Sequence, residues 1–337
     1  MLALLFSLST ILTNDGLAVG KDSNAYRKFN DFVTVYALSG YNATNFSISP
    51  RFNDLSRQRY LFNPPLLFGF GVAYKGLDLG LTRRLPNHLL NTDKYGKSDY
   101  TDFKFKASIQ RFHLALRFQK YTGFTLLNYQ SSNPQAINQH LIYEDLSTFS
   151  LNMDTRFFLK KDFQYGAAQG FSGEYLSDVW TPYVYGYFGG SNVKNKGSAL
   201  LPNSMQNDQV SISQISGIGC LEFGAIPGAA FVKRLQNFQT MLLLGWGPLI
   251  QTKWHRDNQN ARTFFGFSSR TDLQLSLGYH QERWFLQIMS EFQFRRVNFT
   301  QMNIQQYYYD LRLFFGYLIP VKKHPKIVLD LEERGFL

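Results

Sequence analysis

The chain has 337 residues, of which 17% are aromatic and 18% charged, and it carries a net charge of +11. Beyond the N-terminus no segment reaches about 18 to 20 continuous apolar residues, the length of a transmembrane helix, which argues against a helical membrane protein. The single cysteine, Cys220, excludes an intramolecular disulfide framework and a cysteine-cluster metal site.

The composition is typical of strands that separate two media. Aromatic residues exceed what one compact core needs, although the mean hydropathy is only −0.24. A transmembrane β-barrel combines these properties, because each strand alternates lipid-facing apolar residues with lumen-facing polar ones. The positive charge indicates anionic surroundings, such as nucleic acid, phospholipid headgroups or lipopolysaccharide phosphates. No nucleic-acid motif accompanies the basic residues, so we expect lipid rather than nucleic acid.

The N-terminus has the pattern of a secretory signal. Leu2 to Leu12 is an apolar run too short to span a bilayer, and Ala18 to Gly20 offers small residues for cleavage. We therefore predict a signal peptide over residues 1–20. The alternative is an ordinary buried N-terminal segment.

Residues 65–84 predict a β-hairpin with one continuous apolar face. Large apolar residues occupy even positions up to Tyr74 and odd positions from Leu77 onward. A two-residue periplasmic turn at 75–76 places Tyr74 opposite Leu77, so the change of parity keeps these residues on one face. We expect lipid contact for Phe68, Phe70, Val72, Tyr74, Leu77, Leu79 and Leu81, and a lumen-facing position for Asp78, Gly80 and Thr82.

Further strands and loops alternate along the chain. Short strands are predicted at 32–38 and 46–51, and others at 102–110, 111–119, 149–153, 163–169 and 180–189. Long polar loops are predicted at 87–101, 128–145 and 190–212. The C-terminal third alternates most clearly, in strands beginning at Phe238, Leu273, Trp284 and Tyr307.

These segments predict an all-β protein: a single closed antiparallel transmembrane β-barrel of about 12 strands, within a range of 10 to 14, over residues 21–320. Long extracellular loops and short periplasmic turns are expected to join the strands. Residues 321–337 form either a final strand or a periplasmic tail.

The lumen face carries the candidate functional residues. Strand parity turns six polar side chains inward: His113, Arg117, Glu291, Arg295, Asp310 and Arg312. Because the last two strands are neighbours, we expect Glu291 to pair with Arg312. Such pairs either fill and rigidify a narrow barrel or form a charged constriction that selects small solutes.

Several short segments resemble a known family. These are FGFGVAYKGLDLGL at 68–81, YTGF at 121–124, QYGAA at 164–168 and LRLFFGYLI at 311–319. They are similar to an uncharacterised family of Gram-negative outer-membrane β-barrels, a domain of unknown function, over about residues 50 to 320. The resemblance implies an outer-membrane location, with lipid and lipopolysaccharide as surroundings, and supplies no catalytic, cofactor-binding or metal-binding residues.

No catalytic or metal-binding pattern emerges from the residues themselves. The six histidines lack metal-ligand spacing. Ser276 and His280 share a strand face, but four residues separate them by about 13 Å, too far for direct proton transfer. We therefore expect a small-solute channel or a structural or complex-forming envelope protein without a cofactor. The alternatives are a barrel-embedded lipid-modifying enzyme and a soluble β-sandwich or lipid-binding barrel.

Overall fold

The computed structural model describes residues 26–321, with gaps at 30, 52–56, 76, 110, 130–138, 162, 204–205, 207–210 and 257–260. The strands are β1 (Tyr26–Lys28), β2 (Phe32–Pro50), β3 (Gln58–Leu61), β4 (Pro65–Tyr74), β5 (Leu77–His88), β6 (Asp99–Ile109), β7 (Phe112–Tyr129), β8 (Gln139–Phe158), β9 (Gly173–Tyr175), β10 (Val179–Lys194), β11 (Gly217–Leu235), β12 (Phe238–Arg256), β13 (Ala261–His280), β14 (Trp284–Asn298) and β15 (Met302–Pro320). The short helices are α1 (Thr92–Tyr95), α2 (Tyr165–Ala168) and a 3₁₀ turn at Ser211–Gln214. None of the helices among these residues is long and apolar enough to cross a membrane.

Twelve of the described strands form a closed antiparallel ring. Each strand from β10 to β15 pairs with the next, and β15 pairs with β2 along its whole length. From β2 the ring returns to β10 through β4, β5, β6, β7 and β8, while the short β3 bridges β2 and β7 at one end. The predicted closed barrel of about 12 strands is confirmed.

The barrel presents its apolar residues outward. On β13, Leu275 and Leu277 are exposed, whereas Gln274 and Ser276, which alternate with them, are buried. This alternation follows from the period of two along a strand, which sends successive side chains to opposite faces. An apolar exterior is suited to lipid and excludes the soluble sandwich or soluble barrel, in which apolar faces point inward.

The predicted hairpin of β4 and β5 is confirmed. Tyr74 pairs with Leu77, and the outward residues Phe70 and Leu81 are 62% and 77% exposed. Lys75 has a φ of 47°, a left-handed conformation typical of tight hairpin turns. On the inner face, Asp78 accepts a hydrogen bond of 2.5 Å from the Tyr36 hydroxyl.

The two ends of the barrel differ in the length of their connections. At one end of the barrel, which we call the turn end, short connections join the strands at 75–76, 110–111, 236–237 and 281–283. The opposite end, which we call the loop end, carries the longer connections at 51–57, 89–98, 130–138 and 195–216. These connections agree with the predicted short turns and long loops, but the turn end also carries the 20-residue connection 159–178 and the loop end the three-residue connection 299–301.

Apolar clusters fill both ends of the lumen. At the turn end, the segment 159–178 between β8 and β10 folds inward, where β9 pairs with β1 and Phe171 packs among rings of the barrel wall. We call the segment 163–175 the plug. At the loop end, Phe46 stacks on Tyr60 at 4.5 Å, within a cluster that also takes Leu200 and Leu201 from the connection 195–216. The main core of the molecule therefore lies inside the barrel, at its two ends.

Some predicted elements are wrong. Residues 32–38 and 46–51 belong to one strand, β2, because polar inward residues such as Asn42 and Thr44 continue the ladder between them. Residues 163–169 form part of the plug, with α2 in place of a strand. The predicted loop at 128–145 overlaps the first residues of β8, and that at 190–212 the end of β10. The predicted signal peptide at 1–20 and residues 322–337 lie outside the described residues.

Candidate functional site

A layer of charged side chains crosses the lumen between the apolar clusters at its two ends. Its members come from inward positions of β6, β7, β8, β11, β13, β14 and β15. Because successive side chains of a strand point to opposite faces, the alternation that turns apolar residues outward turns these charged residues into the lumen. We call these residues the charged layer: Asp102, Lys104, Lys106, Arg117, Asp154, Arg156, Glu222, Arg270, Asp272, Glu291, Arg295, Asp310 and Arg312.

The structure places all six predicted lumen residues in the interior but distributes them over separate contacts. His113, Arg117, Glu291, Arg295 and Asp310 are buried, and the side chain of Arg312 is 18% exposed. Two direct pairs form within this set, Arg117 with Glu291 and Arg312 with Asp310.

The expected pair of Glu291 with Arg312 is wrong. The register of β14 and β15 places Glu291 opposite Asp310 and Met289 opposite Arg312. Two carboxylates therefore face each other across the strands, and cations from elsewhere neutralise them. Lys104 of β6 reaches Glu291 at 3.0 Å and lies 4.0 Å from Asp310.

Arg117 stands at the centre of one ion-pair chain. Its Nη1 lies 2.5 Å from Glu291 Oε1, and its Nε lies 2.8 Å from Asp154 Oδ2. Asp154 also accepts a hydrogen bond of 2.5 Å from the Tyr185 hydroxyl. Since removing one member of a buried pair leaves an uncompensated charge, these contacts hold the strands in a single arrangement.

Arginine and tyrosine side chains complete the layer toward the loop end. Arg295 pairs with Glu222 at 2.8 Å and donates a hydrogen bond to the Tyr187 hydroxyl. The Arg270 guanidinium lies 3.8 Å from the centre of the Tyr187 ring, a cation–π distance. Tyr187 therefore separates two like charges and interacts favourably with both.

Several members of the charged layer were missed in the sequence, although the signal was present. In β8, Asp154 and Arg156 share the inward face with Asn152, while Leu151 and Met153 face outward. In β6, Asp102 and Lys104 alternate with phenylalanines in the same way. Continuing the parity of each predicted strand would have found these positions. No sequence signal indicated which of them meet across the lumen.

A small cavity lies within the layer. It has a volume of about 40 Å³, above the roughly 10 to 15 Å³ that a cavity needs to hold one water. Five cationic and two acidic side chains line it: Lys104, Lys106, Arg117, Arg156, Arg312, Glu291 and Asp310.

The described residues offer no metal site, since they bring together no group of three His, Cys, Asp or Glu side chains able to hold an ion. Ser276 accepts a hydrogen bond of 2.6 Å from Gln287, while His280 stacks on Phe285. A different serine lies beside a histidine: Ser108 Oγ is 2.9 Å from His113 Nδ1.

A closed antiparallel barrel with an apolar exterior and a charged interior defines an integral outer-membrane β-barrel protein. Residues 20–318 match the family described as domain of unknown function (DUF4421), and the chain belongs to that family. The family expected from the sequence is thereby confirmed. None of the curated proteins compared with the chain matches it in sequence.

Solved structures of similar shape are outer-membrane proteins of low sequence identity. The outer membrane protease OmpT from Escherichia coli is 8% identical, with a TM-score of 0.44 over 88% of this chain and 100% of that chain. The beta domain of the Bordetella autotransporter BrkA is 10% identical, with a TM-score of 0.35 over 84% of this chain and 98% of that chain. The translocator domain of the autotransporter NalP from Neisseria meningitidis is 6% identical, with a TM-score of 0.31 over 94% of this chain and 95% of that chain.

Proposed function

We propose that this outer-membrane barrel is a structural or complex-forming component of the envelope and does not conduct small solutes along its axis. The observation that carries the proposal is the filling of the lumen at both ends and in the middle. A channel requires a continuous polar path, and three apolar clusters, two at the turn end and one at the loop end, interrupt such a path here.

The contacts of the plug support axial closure at the turn end. Thr34 donates a hydrogen bond of 2.8 Å to the Phe171 carbonyl, and Gln239 donates to the Ala167 carbonyl at 2.8 Å. The ring of Phe171 lies 5.1 Å from that of Phe314, in edge contact. The plug is thus attached to strands on different sides of the ring.

The charged layer supports the same function. Arg117, Arg156 and Arg295 pair with carboxylates inside the barrel, so a passing ion would have to displace partners that are already buried. Strong pairing of this kind favours a fixed structure over weak, reversible ion binding.

The test is conductance in planar bilayers with the purified, folded protein. We expect no conductance steps from the wild type. A variant that lacks residues 164–174 and carries Leu200→Gly, Leu201→Gly, Arg117→Ser and Arg156→Ser should show steps, because it loses filling at both ends and in the charged layer. Heat-modifiable migration on gels verifies that both proteins are folded, and regular steps from the wild type would refute axial closure.

A second candidate, the lipid-modifying enzyme, is favoured by the contact between Ser108 and His113. The two residues face each other on β6 and β7, and a hydroxyl beside an imidazole is the nucleophile–base arrangement of acyl transfer. A fluorophosphonate probe tests it. Labelling of the wild type that Ser108→Ala abolishes and Ser276→Ala preserves would support an enzyme, and absence of labelling would refute it.

A further inference from the structure

The wall of the barrel is incompletely paired between β5 and β6. Among the described residues, these neighbouring strands pair only at Leu77–Ala107 and Asp78–Lys106. By contrast, β12 and β13 pair along their whole length. We call the unpaired interval between Leu79–His88 and Asp99–Phe105 the β5–β6 seam.

The seam is a bounded slot in the wall. The two residue pairs of β5 and β6 close it at the turn end, and the connection 89–98 closes it at the loop end. Seven residues of β6 border it, a length of about 23 Å at about 3.3 Å per residue. Every residue of β5 except Asp78 and His88 is exposed, so this strand is accessible on both faces.

Unpaired strand edges are costly where they meet hydrocarbon, because lipid supplies no hydrogen bonds to their N–H and C=O groups. The two edges of the seam must therefore either pair with each other or be occupied by polar groups. Both edges carry residues that suit pairing. Continuing the observed register would place Leu81 opposite Phe103 outside and Thr82 opposite Asp102 inside.

Contacts at the two ends of the seam differ in burial. At the turn end, Tyr36 inside the barrel donates a hydrogen bond to Asp78. At the loop end, Arg84 of β5 forms an ion pair with Asp99 of β6, and their side chains are 53% and 59% exposed. Exposed ion pairs contribute little to stability, so the loop end of the seam is weakly held.

Behind the seam lies the cationic side of the charged layer. Lys104 and Lys106 occupy inward positions of the β6 edge and line the cavity of about 40 Å³. Lys104 is neutralised by Glu291, whereas Lys106 forms no ion pair with any described residue. Among the described residues, the other four cations that line the cavity each contact a carboxylate, so Lys106 is the cation left to attract an anion.

We propose that the β5–β6 seam is a lateral portal that admits the phosphate headgroup of a membrane lipid to the charged layer. The acyl chains stay in the bilayer beside Leu79, Leu81 and Phe103, and the phosphate meets the Lys106 ammonium. This site goes beyond the proposed function, because it opens through the wall and leaves the axis closed.

The first test measures whether the seam opens in a bilayer. In a Cys220→Ser background, Leu81→Cys with Phe103→Cys places thiols on both edges of the seam. The matched control, Leu277→Cys with Ile288→Cys, spans the paired junction of β13 and β14. We expect the control to form its disulfide several-fold faster. Equal rates and equal yields would show a permanently paired wall and overturn the portal.

The second test identifies the bound group. The protein is reconstituted in phosphatidylcholine vesicles containing phosphatidic acid with a photoreactive acyl chain. We expect labelling of β5 and β6 that falls several-fold in Lys106→Gln and is retained in Lys120→Gln, which removes an exposed lysine of β7. Gel migration verifies folding of both variants.

Each outcome of the second test decides the proposal. Unchanged labelling of Lys106→Gln would overturn the lysine site. Complete competition by free inorganic phosphate would overturn a lipid source, while resistance to it supports one. Conductance is measured separately, so failure of axial closure and failure of the lateral portal remain distinguishable.

Discussion

The guanidinium of Arg156 donates two hydrogen bonds to the carboxylate of Asp272, from Nε at 3.0 Å and from Nη2 at 2.9 Å. The residues belong to β8 and β13, which are not neighbours in the ring. Both side chains are buried. The pair therefore connects two separate parts of the wall through the lumen, in the bidentate geometry that arginine and carboxylate favour.

Breaking this pair on one side should destabilise the barrel strongly. We expect Arg156→Met to lower the free energy of unfolding by about 3 to 5 kcal/mol, because Asp272 would remain buried without its partner. Urea unfolding in vesicles measures the change. The double variant Arg156→Met with Asp272→Leu should recover most of this loss of unfolding free energy. The control is Arg84→Gln, which breaks the exposed pair of Arg84 with Asp99 and should cost at most about 1 kcal/mol. Similar losses for the two single variants would contradict this prediction.

Gly71 provides space for the ring of Tyr36. A Cβ at Gly71 would lie 2.2 Å from Tyr36 Cζ, whereas a Cβ at Gly186 would meet its nearest atom at 3.8 Å. We expect Gly71→Ala to cost about 1 to 3 kcal/mol of unfolding free energy through overpacking. Gly186→Ala, the matched strand glycine, should be tolerated. If Tyr36 is responsible, adding Tyr36→Ala should make Gly71→Ala nearly neutral, and a persistent cost would refute that cause.

Outward leucines should respond to charge according to their depth in the bilayer. Leu275 lies in the middle of the segment of β13 that pairs with β14, whereas Leu235 ends β11. We expect Leu275→Arg to destabilise folding into vesicles by about 2 to 4 kcal/mol and Leu235→Arg by at most about 1 kcal/mol. The measurement is the folding equilibrium in urea. A larger cost at Leu235 would mean that the apolar belt has been assigned to the wrong depth.

Neighbouring residues of one strand should differ in their access to lipid. In a Cys220→Ser background, Leu275→Cys should react with a bilayer-confined maleimide, because Leu275 is 44% exposed on the outer face. Gln274→Cys should stay unmodified, since Gln274 is buried on the inner face. Modification of both residues at the same rate would contradict the assignment of faces.

Much of the architecture was accessible from residue patterns. The parity change at 75–76 predicted the pairing of Tyr74 with Leu77, and the structure has that pair. The wrong predictions concern segments whose structure depends on contacts with distant parts of the chain. The plug sequence 163–169 is aromatic and alternating like a strand, yet it packs inside the barrel, because Phe158 of β8 and His113 of β7 contact its rings there.

For the candidate site too, the sequence predicted some features and missed others. Strand parity indicated that Arg117 and Glu291 face the lumen, since each alternates with outward apolar residues. It did not indicate that Arg117 lies between Glu291 and Asp154. It also led to the wrong partner for Arg312, because the register of β14 and β15 depends on their turn and on the packing of whole strands.

The sequence by itself determined which face of each clear strand meets lipid, because side-chain alternation depends only on the backbone period of two. The tertiary structure alone decided which charges pair across the lumen, how the plug fills the turn end and where β5 and β6 separate. Those features depend on contacts between residues far apart in the chain. The positions of these side chains are fixed only when the ring closes, because the size of the closed barrel sets how many of them fit inside it.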